Sequence, residues 1–247
     1  DNLYIIVPAY NEENTIVSVI RDLQQYFKNI IVVDDGSTDL TSEIVAQFDI
    51  LLIRKVQNEG QGAALRTGLN YCIECNFPFM ATFDSDGQHS ATDLYNMFGF
   101  LIKNDLDVVL GSRFLGKALG ISSFKYWILK IAVIVEKILY GIEKTDAHNG
   151  LRVFNYYAAT KLDLSANRMS HGSIIISSII KNKLKFKEFP VTIKYDIKHR
   201  PHKQKAINAI FIFLKLVFLR VLFYKINKDE LLRKFPLLHI VLVLNYI

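Results

Sequence analysis

The sequence contains few of the residues that build disulfide frameworks, zinc sites or disordered linkers. It has two cysteines and five prolines among 247 residues. Cys72 and Cys75 form a lone Cys-x-x-Cys pair, which without a second pair or a nearby histidine supplies too few ligands for a zinc site. We therefore expect these thiols to pack within a helix rather than to act as a redox pair. The apolar content of 51% and the aromatic content of 12% exclude a disordered chain.

Two common nucleotide-binding signatures are also missing from the glycine-rich stretch Asn58-Glu59-Gly60-Gln61-Gly62. The stretch lacks both the G-x-G-x-x-G spacing of dinucleotide sites and the Gly-Lys-Ser/Thr ending of a P-loop. It does precede a helix expected from about residue 63 to residue 75, so that its backbone can approach a phosphate at a helix N-terminus. Alone, this stretch is weak evidence for nucleotide binding.

Charge is divided unequally along the chain. The formal net charge of +6 indicates a polyanion, a nucleotide or an acidic membrane surface as a partner. Most acidic residues precede Glu143, whereas basic residues cluster between Lys181 and Lys205. The sequence therefore predicts an acidic site in the first part of the chain and a basic, apolar C-terminal part.

Short apolar runs alternate with segments of helical periodicity. The runs expected to form strands cover residues 3–7, 30–33, 50–53, 79–83 and 107–110. Alternating strands and helices predict an α/β fold with a mostly parallel, doubly wound sheet, whose ligands bind beyond the carboxyl ends of the strands. A chain of this length is long enough to bury such a core.

Polar side chains follow three of these strands directly. They are Tyr10, Glu12, Asp34, Asp35, Asp84 and Asp86. Asp84 and Asp86 are two residues apart, so an extended chain turns both carboxylates to the same side. Oxygen ligands select a hard cation such as Mg²⁺ or Mn²⁺, and Gln88 can add a third oxygen. The alternative is a solvated turn that ends a strand, since Asp, Ser and Gly are common in turns.

A resemblance to a known family is carried by six segments in order. They read VPAYNE (7–12), VDDGSTD (33–39), NEGQGAA (58–64), DSDGQH (84–89), GSR (111–113) and NGLR (149–152). Their order and spacing resemble those of family 2 glycosyltransferases, and within that family the dolichyl or polyprenyl phosphate sugar synthases. The resemblance covers roughly residues 3–205, and the motifs together are specific although each alone is not.

The resemblance implies a GT-A fold and a metal-dependent, inverting sugar transfer from a UDP-, GDP- or dTDP-sugar. It implies that Asp84 and Asp86 hold Mg²⁺ or Mn²⁺, with Gln88 as an extra ligand. The nucleotide-sugar pocket would be lined by Pro8, Tyr10, Glu12, Val33, Asp34, Asp35, Asp84 and the backbone of Ser85. Arg113 and Arg152 match arginines that face the phosphates of donor or acceptor. Lys203 is a loose match to a phosphate-binding lysine of the family, with Lys205 as the alternative. The resemblance implies no nucleic-acid partner.

The acceptor decides whether a catalytic base is needed. A sugar hydroxyl needs a carboxylate base, whereas a phosphate monoester is already anionic. Related bacterial enzymes are expected to carry a glutamate in the segment 169–176, which here reads MSHGSIII. Asp146 is then the best remaining base, although it can equally cap the loop before Leu151. The sequence favours a polyprenyl phosphate acceptor, with a sugar hydroxyl of a surface polysaccharide, or a catalytically silent nucleotide-sugar-binding subunit, as alternatives.

Three apolar stretches bear on membrane association. Residues 124–142 contain four charged residues, which predicts an amphipathic interfacial helix rather than a spanning one. Residues 206–224 are long enough to span, but Lys215 and Arg220 each cost about 2.5–3.5 kcal/mol at a bilayer centre. We expect an interfacial helix there, with a spanning or a partner-binding helix as alternatives. The stretch 236–247 is too short to span.

These stretches suggest a division of the chain into two parts. We expect a catalytic domain over residues 1–205 and a membrane-associated or partner-binding helical tail over residues 206–247. The basic cluster before the tail favours an anionic leaflet. The expected location is the cytoplasmic face of the cell membrane, with a membrane partner subunit as a further possible contact.

Overall fold

The structure is a computed structural model that describes residues 2–140, 144–146, 149–163 and 171–195. The chain divides into two compact units, 1–197 and 198–247. The second unit lies outside the described residues, as do Lys203, Lys205 and the segment 164–170. The predicted boundary at residue 205 and the predicted helical tail therefore stay predictions.

The described residues form one sheet of seven strands. The strands are β1 (Leu3–Ala9), β2 (Ile30–Asp34), β3 (Leu51–Arg54), β4 (Phe79–Thr82), β5 (Val108–Leu119), β6 (Arg152–Asn155) and β7 (Phe186–Lys194). Their order across the sheet is β3-β2-β1-β4-β6-β5-β7. All the neighbouring pairs except those of β6 are parallel, which confirms the predicted α/β fold with a mostly parallel sheet.

Helices cover both faces of this sheet. They are α1 (Ile16–Gln24), α2 (Thr41–Val45), α3 (Gln61–Glu74), α4 (Ala91–Lys103), α5 (Ser123–Tyr140), α6 (Tyr156–Lys161) and α7 (His171–Lys181). The strand period of two sends successive residues of β1 to opposite cores. Ile5 and Val7 pack in the core that includes residues of α1 and α4. Ile6 packs in the other core, with residues of α3.

The strand β6 is the feature that the sequence does not predict. It lies between β4 and β5 and runs antiparallel to both. Its four residues carry little periodicity, and its position depends on partners far away along the chain. Arg152 pairs with Thr82 of β4 and with Leu110 of β5. Because β6 runs against its neighbours, its first residue lies at the edge where β4 ends.

The first helix begins later than the sequence indicates. Asparagine is a common N-cap residue, so the sequence predicts that Asn11 caps this helix, yet α1 begins at Ile16 with Thr15 before it. Asn11 instead adopts a positive φ of 55°, which is uncommon outside turns for residues other than glycine. The expectation that Asn11 caps α1 is therefore wrong.

The long helix α5 falls where an amphipathic helix was predicted. Its exposed apolar side chains include Phe124, Trp127, Ile131 and Ile134. Within the described ranges, no helix combines the length and the apolarity that crossing a bilayer requires.

Candidate active site

A polar cleft lies where β1, β2 and β4 end. Its volume is about 370 Å³, within the range of sites for small molecules. The lining residues are Pro8, Ala9, Tyr10, Glu12, Asp35, Asn58, Gln61, Ala64, Asp84, Ser85 and Asp86. Parallel strands end at a common edge, which explains why acids from three distant segments meet here.

The loop after β1 holds Glu12 through hydrogen bonds to the loop after β2. The backbone N–H of Asn11 donates to Ser37 Oγ at 3.0 Å, and that of Glu12 donates to Thr41 Oγ1 at 2.8 Å. The Thr15 hydroxyl donates to Glu12 Oε2 at 2.7 Å. Desolvation raises the pKa of Glu12, and the charges of Asp86, Asp39 and Asp84 raise it further. The loop thus holds a carboxylate beside other acids.

Two adjacent aspartates at the end of β2 have different surroundings. The Asp34 carboxylate is fully buried and accepts from Ser37 N at 2.9 Å and from the Ser42 hydroxyl. Asp35 lines the cleft, where it accepts from Lys55 Nζ and from Gly60 N, each at 2.7 Å. Asp34 therefore braces the loop after β2, and Asp35 joins the cleft wall to the glycine-rich stretch.

Asp84 and Asp86 form the acidic centre of the cleft. Desolvation raises the pKa of Asp86, and the neighbouring Asp84 charge raises it further. Gln88 N donates to Asp86 Oδ1 at 3.0 Å, while the Gln88 carbonyl accepts from Lys194 N at 3.0 Å. Gln88 thereby ties the acidic turn to β7. Two neighbouring carboxylates repel each other when both are ionised, and a cation between them would relieve this repulsion.

Gly150 fits closely against Asp84. A Cβ atom added to Gly150 would lie 2.0 Å from Asp84 Oδ2, and the Gly150 carbonyl accepts from Thr82 Oγ1 at 2.6 Å. Arg152, two residues later, is buried at the start of β6. A side chain at position 150 would displace the Asp84 carboxylate from this position.

A bulge in β5 positions the basic side of the site. Ser112 pairs with Pro190 but Lys117 pairs with Thr192, so residues 113–116 lie opposite Val191 alone. The bulged Arg113 donates from its Nε to Asp146 Oδ2 at 2.6 Å, and its Nη1 donates to the Tyr195 hydroxyl. The side chains of Arg113 and Asp146 are 7% and 0% exposed. Asp146 is therefore the counter-charge of a buried arginine.

Glu188 holds the segment that carries Asp146. Its carboxylate accepts from Thr145 N at 2.9 Å and 2.8 Å and from Asp146 N at 3.1 Å. Desolvation raises the pKa of Glu188. The ion pair between Arg113 and Asp146 is thus fixed from both sides, by the bulge in β5 and by β7.

The sequence profile described as glycosyl transferase family 2 matches residues 4–162, more than half of the chain. The chain belongs to glycosyltransferase family 2. The match covers β1 to α6, which contain the whole acidic cleft. The protein is accordingly a glycosyltransferase.

Relatives in archaea align with nearly the whole chain. A UDP-N-acetylglucosamine–dolichyl-phosphate N-acetylglucosaminyltransferase of Methanococcus voltae is 31% identical and covers 89% of this chain and 96% of its own. An uncharacterized protein of Methanocaldococcus jannaschii is 32% identical over 90% of this chain and 93% of its own.

Solved structures share the fold. The glucosyl-3-phosphoglycerate synthase of Mycobacterium tuberculosis, crystallised with Mn²⁺, UDP and glucosyl-3-phosphoglycerate, gives a TM-score of 0.67 at 18% identity. The similarity covers 88% of this chain and 78% of that one. At this identity the comparison shows the GT-A fold.

Most residues predicted for the site of this glycosyltransferase do converge. Seven of them line the cleft, namely Pro8, Tyr10, Glu12, Asp35, Asp84, Ser85 and Asp86. Val33 instead packs in the core with residues of α3, and Asp34 lies in the loop network described above. Arg113 and Asp146 meet each other, and Lys203 lies outside the described residues. The roles of these residues stay predictions.

Sequence reasoning missed Lys125, in the first turn of α5. Its Nζ lies 4.2 Å from the centroid of the Tyr195 ring. Desolvation lowers the pKa of Lys125, the Arg113 charge lowers it further, and Asp86 opposes both. Lys125 therefore lies near Arg113 and Asp86. In the sequence, Lys125 is only a lysine near the start of an amphipathic helix. Such a lysine looks like an ordinary surface residue until the fold is known.

Proposed function

We propose that this glycosyltransferase moves a sugar from a nucleotide-sugar donor to a polyprenyl phosphate, with Mg²⁺ or Mn²⁺ bound at Asp84 and Asp86. The observation that carries the proposal is the pairing of an acidic cleft with a basic side, where Lys125 lies near both Asp86 and Arg113. An acidic cleft suits a cation and its diphosphate, and a basic side suits an anionic acceptor.

The donor's nucleoside would lie between Tyr10 and Asp35, against the backbone of Ser85. Both side chains line the cleft, and Asp35 offers a carboxylate for the polar edge of a base or ribose. Gln61 begins α3 after Gly60, so a helix N-terminus faces the same cleft. Backbone N–H groups at a helix N-terminus favour the negative charge of a diphosphate.

The residues present fit a divalent cation. Asp84 and Asp86 supply hard oxygen donors, and Mg²⁺ is commonly bound by one or two carboxylates together with substrate phosphates. Among the described residues there is no cluster of three or more His, Cys, Asp or Glu side chains placed to hold a metal ion. The remaining ligands would come from the donor, with Gln88 as the predicted extra ligand. When bound, the cation would neutralise negative charge that develops on the departing diphosphate.

The surroundings of Asp146 favour a phosphate acceptor over a sugar hydroxyl. A general base must reach the proton that it removes. The side chain of Asp146 is 0% exposed, and the Nε and backbone N–H of Arg113 both donate to its Oδ2. A phosphate monoester needs no such base. The M. voltae relative is named for transfer to dolichyl phosphate, which supports the same acceptor class.

Helix α5 supports docking at a membrane surface for this acceptor. Phe124, Trp127, Ile131 and Ile134 recur at intervals of three and four residues and are 62%, 65%, 43% and 57% exposed. Aromatic and aliphatic side chains with neighbouring lysines suit the interface of an anionic leaflet. Cosedimentation with anionic vesicles should be weaker for Trp127→Ser than for wild type. Equal binding would assign docking to another part of the chain.

Turnover of nucleotide sugars tests the proposal directly. Purified protein in detergent would be assayed with Mn²⁺, a panel of nucleotide sugars, and undecaprenyl or dolichyl phosphate, beside an Asp86→Ala control. We expect nucleoside diphosphate release to require the lipid and to vanish in the control. Donor binding without lipid-stimulated turnover would move the search to saccharide acceptors. Absence of metal-dependent donor binding would favour a silent nucleotide-sugar-binding subunit.

A further inference from the structure

Two side-chain donors contact the carboxylate of Asp84, one on each oxygen. Gln61 Nε2 donates to Asp84 Oδ1 at 2.8 Å. His89 Nε2 lies 3.2 Å from Asp84 Oδ2. We call Gln61 and His89 together the Asp84 clamp. The two donors come from different elements, the start of α3 and the loop after β4, so the clamp exists only in the folded protein.

His89 is the more firmly held half of this clamp. Its side chain is 5% exposed, and its ring lies 5.6 Å from that of the buried Phe83, centroid to centroid. Among the described residues, His89 Nδ1 is buried without a hydrogen-bond partner. We assign the tautomer with the proton on Nε2, because it donates to Asp84 and leaves only a lone pair at Nδ1.

The remaining contact of Asp84 limits its movement further. The backbone of Gly150 lies so close that an added Cβ would overlap Asp84 Oδ2. With a donor on each oxygen and a backbone against one side, the carboxylate has few orientations available. Each carboxylate oxygen has two lone pairs, so one hydrogen bond at each leaves acceptor capacity for a cation.

We propose that His89, supported by Gln61, is a positioning residue for the divalent cation. It fixes Asp84 in the orientation that binds the ion before the ion arrives. The proposal rests on the metal site in the proposed function and assigns a role to a residue that does not itself touch the ion. Partners that orient a metal ligand commonly contribute 10- to 100-fold to affinity or activity.

Mn²⁺ binding tests this role without any catalytic turnover. Free Mn²⁺ would be followed by EPR spectroscopy during titration of the full chain with UDP present and lipid absent. His89→Phe keeps a ring against Phe83 but removes the donor, and we expect about 10-fold weaker Mn²⁺ binding. His89→Gln places an amide nitrogen at a similar reach and should restore most of the affinity. Tyr26→Phe, which removes the remote contact with Thr92 Oγ1, should change nothing.

Thermal unfolding of each variant separates positioning from folding. A folded His89→Phe protein with wild-type Mn²⁺ affinity would overturn the proposal, as would a His89→Gln protein no better than His89→Phe. If His89→Phe does not fold, Gln61→Leu takes its place, because Gln61 is exposed and its loss leaves the core intact. We then expect about threefold weaker binding, because one solvent-exposed hydrogen bond to Asp84 is lost, at the low end of the usual range, and unchanged binding overturns the proposal.

The same titration distinguishes this inference from the proposed function. No Mn²⁺ binding by the wild-type protein, even with UDP, would overturn both the metal site and the role of His89. Clamp-dependent Mn²⁺ binding without transfer to any polyprenyl phosphate would leave the role of His89 intact and reject only the proposed acceptor.

Discussion

The acidic side and the basic side of the site carry opposite charges and are built differently. The acidic side consists of Glu12, Asp35, Asp84 and Asp86, each at or just after the end of a parallel strand. The basic side consists of Arg113 and Lys125, from a bulge and from a helix. The acidic side repels a diphosphate unless a cation is bound between them, whereas the basic side attracts a phosphate directly.

The difference also concerns how each side is stabilised. Desolvation raises the pKa of Glu12 and of Asp86, and the charge of Asp84 raises both further, so these carboxylates lack a compensating positive charge by themselves. On the basic side, Arg113 is neutralised by the buried Asp146. The comparison predicts that changes on the basic side affect acceptor use and folding, and that changes on the acidic side affect donor and metal binding.

The largest effect is expected from Asp146→Asn, which separates a structural from a catalytic role of this carboxylate. Removing one partner of a buried ion pair leaves Arg113 without its counter-charge, and the free energy of unfolding should fall by about 3 kcal/mol. Denaturation in urea measures this fall. As a control, Asp105→Asn removes an exposed pair with Lys185 and should leave the free energy of unfolding nearly unchanged, because exposed ion pairs contribute little.

One outcome for Asp146→Asn would contradict the structural role of Asp146. If turnover is abolished while the free energy of unfolding stays at the wild-type value, Asp146 acts as a base. A sugar hydroxyl would then replace the lipid phosphate as the acceptor.

Arg113→Lys should have the next largest effect. Lysine keeps the charge but cannot reproduce the two-sided contact of the guanidinium with Asp146 and Tyr195. We expect lipid-dependent turnover to fall about 100-fold, the scale of losing one charge-assisted hydrogen bond to the acceptor phosphate. Donor affinity, measured by calorimetry, should stay at the wild-type value. An equal loss of donor affinity would show that donor and acceptor are not bound by separate sides of the site.

Lys125→Gln should raise the KM for the lipid phosphate about 10-fold, which corresponds to about 1.4 kcal/mol. The physical reason is the loss of a cation near Arg113 and Asp86. Lys130→Gln is a matched control on the same helix, because its Nζ lies over the Phe114 ring at 4.1 Å. Equal effects of the two variants would indicate general attraction to an anionic surface rather than a phosphate site.

The smallest effect is expected from Asp86→Asn on the pH dependence of stability, measured without metal. Because the pKa of Asp86 is raised in the folded state, the folded protein keeps this proton to higher pH than the unfolded chain does. The free energy of unfolding should therefore decrease as the pH rises above the ordinary aspartate value of about 3.9. In Asp86→Asn this decrease should be smaller than in the wild-type protein. Thermal unfolding measured from pH 3.5 to 7 tests the difference. A slope identical to that of wild type would contradict the raised pKa.

The acidic side was largely predictable from the sequence. Short apolar strands followed by polar residues indicate a parallel sheet, and the sheet brings Glu12, Asp35, Asp84 and Asp86 to one edge. The roles of the neighbours Asp34 and Asp35 were not separable by this reasoning. Adjacent residues at a strand end turn to different sides, and only the positions of Ser42 and Lys55 decide which carboxylate faces the cleft.

The basic side was much less predictable. Arg113 and Arg152 were singled out by resemblance alone, and Lys125 was missed. The position of Arg152 depends on β6 entering the sheet antiparallel, and that of Arg113 on the extra residues of β5 opposite Val191. Such pairings join residues that are distant in the chain, and neither propensity nor periodicity encodes them.

By itself, the sequence determined the layered α/β fold and the family motifs, because both depend on local patterns of apolar and polar residues. The tertiary structure decided which of these residues act together. It buried Asp146 against Arg113, brought Lys125 near Asp86, and placed Gln61 and His89 on the two oxygens of Asp84. Distances between side chains on separate elements follow from how the strands and helices pack, and packing is a property of the whole chain.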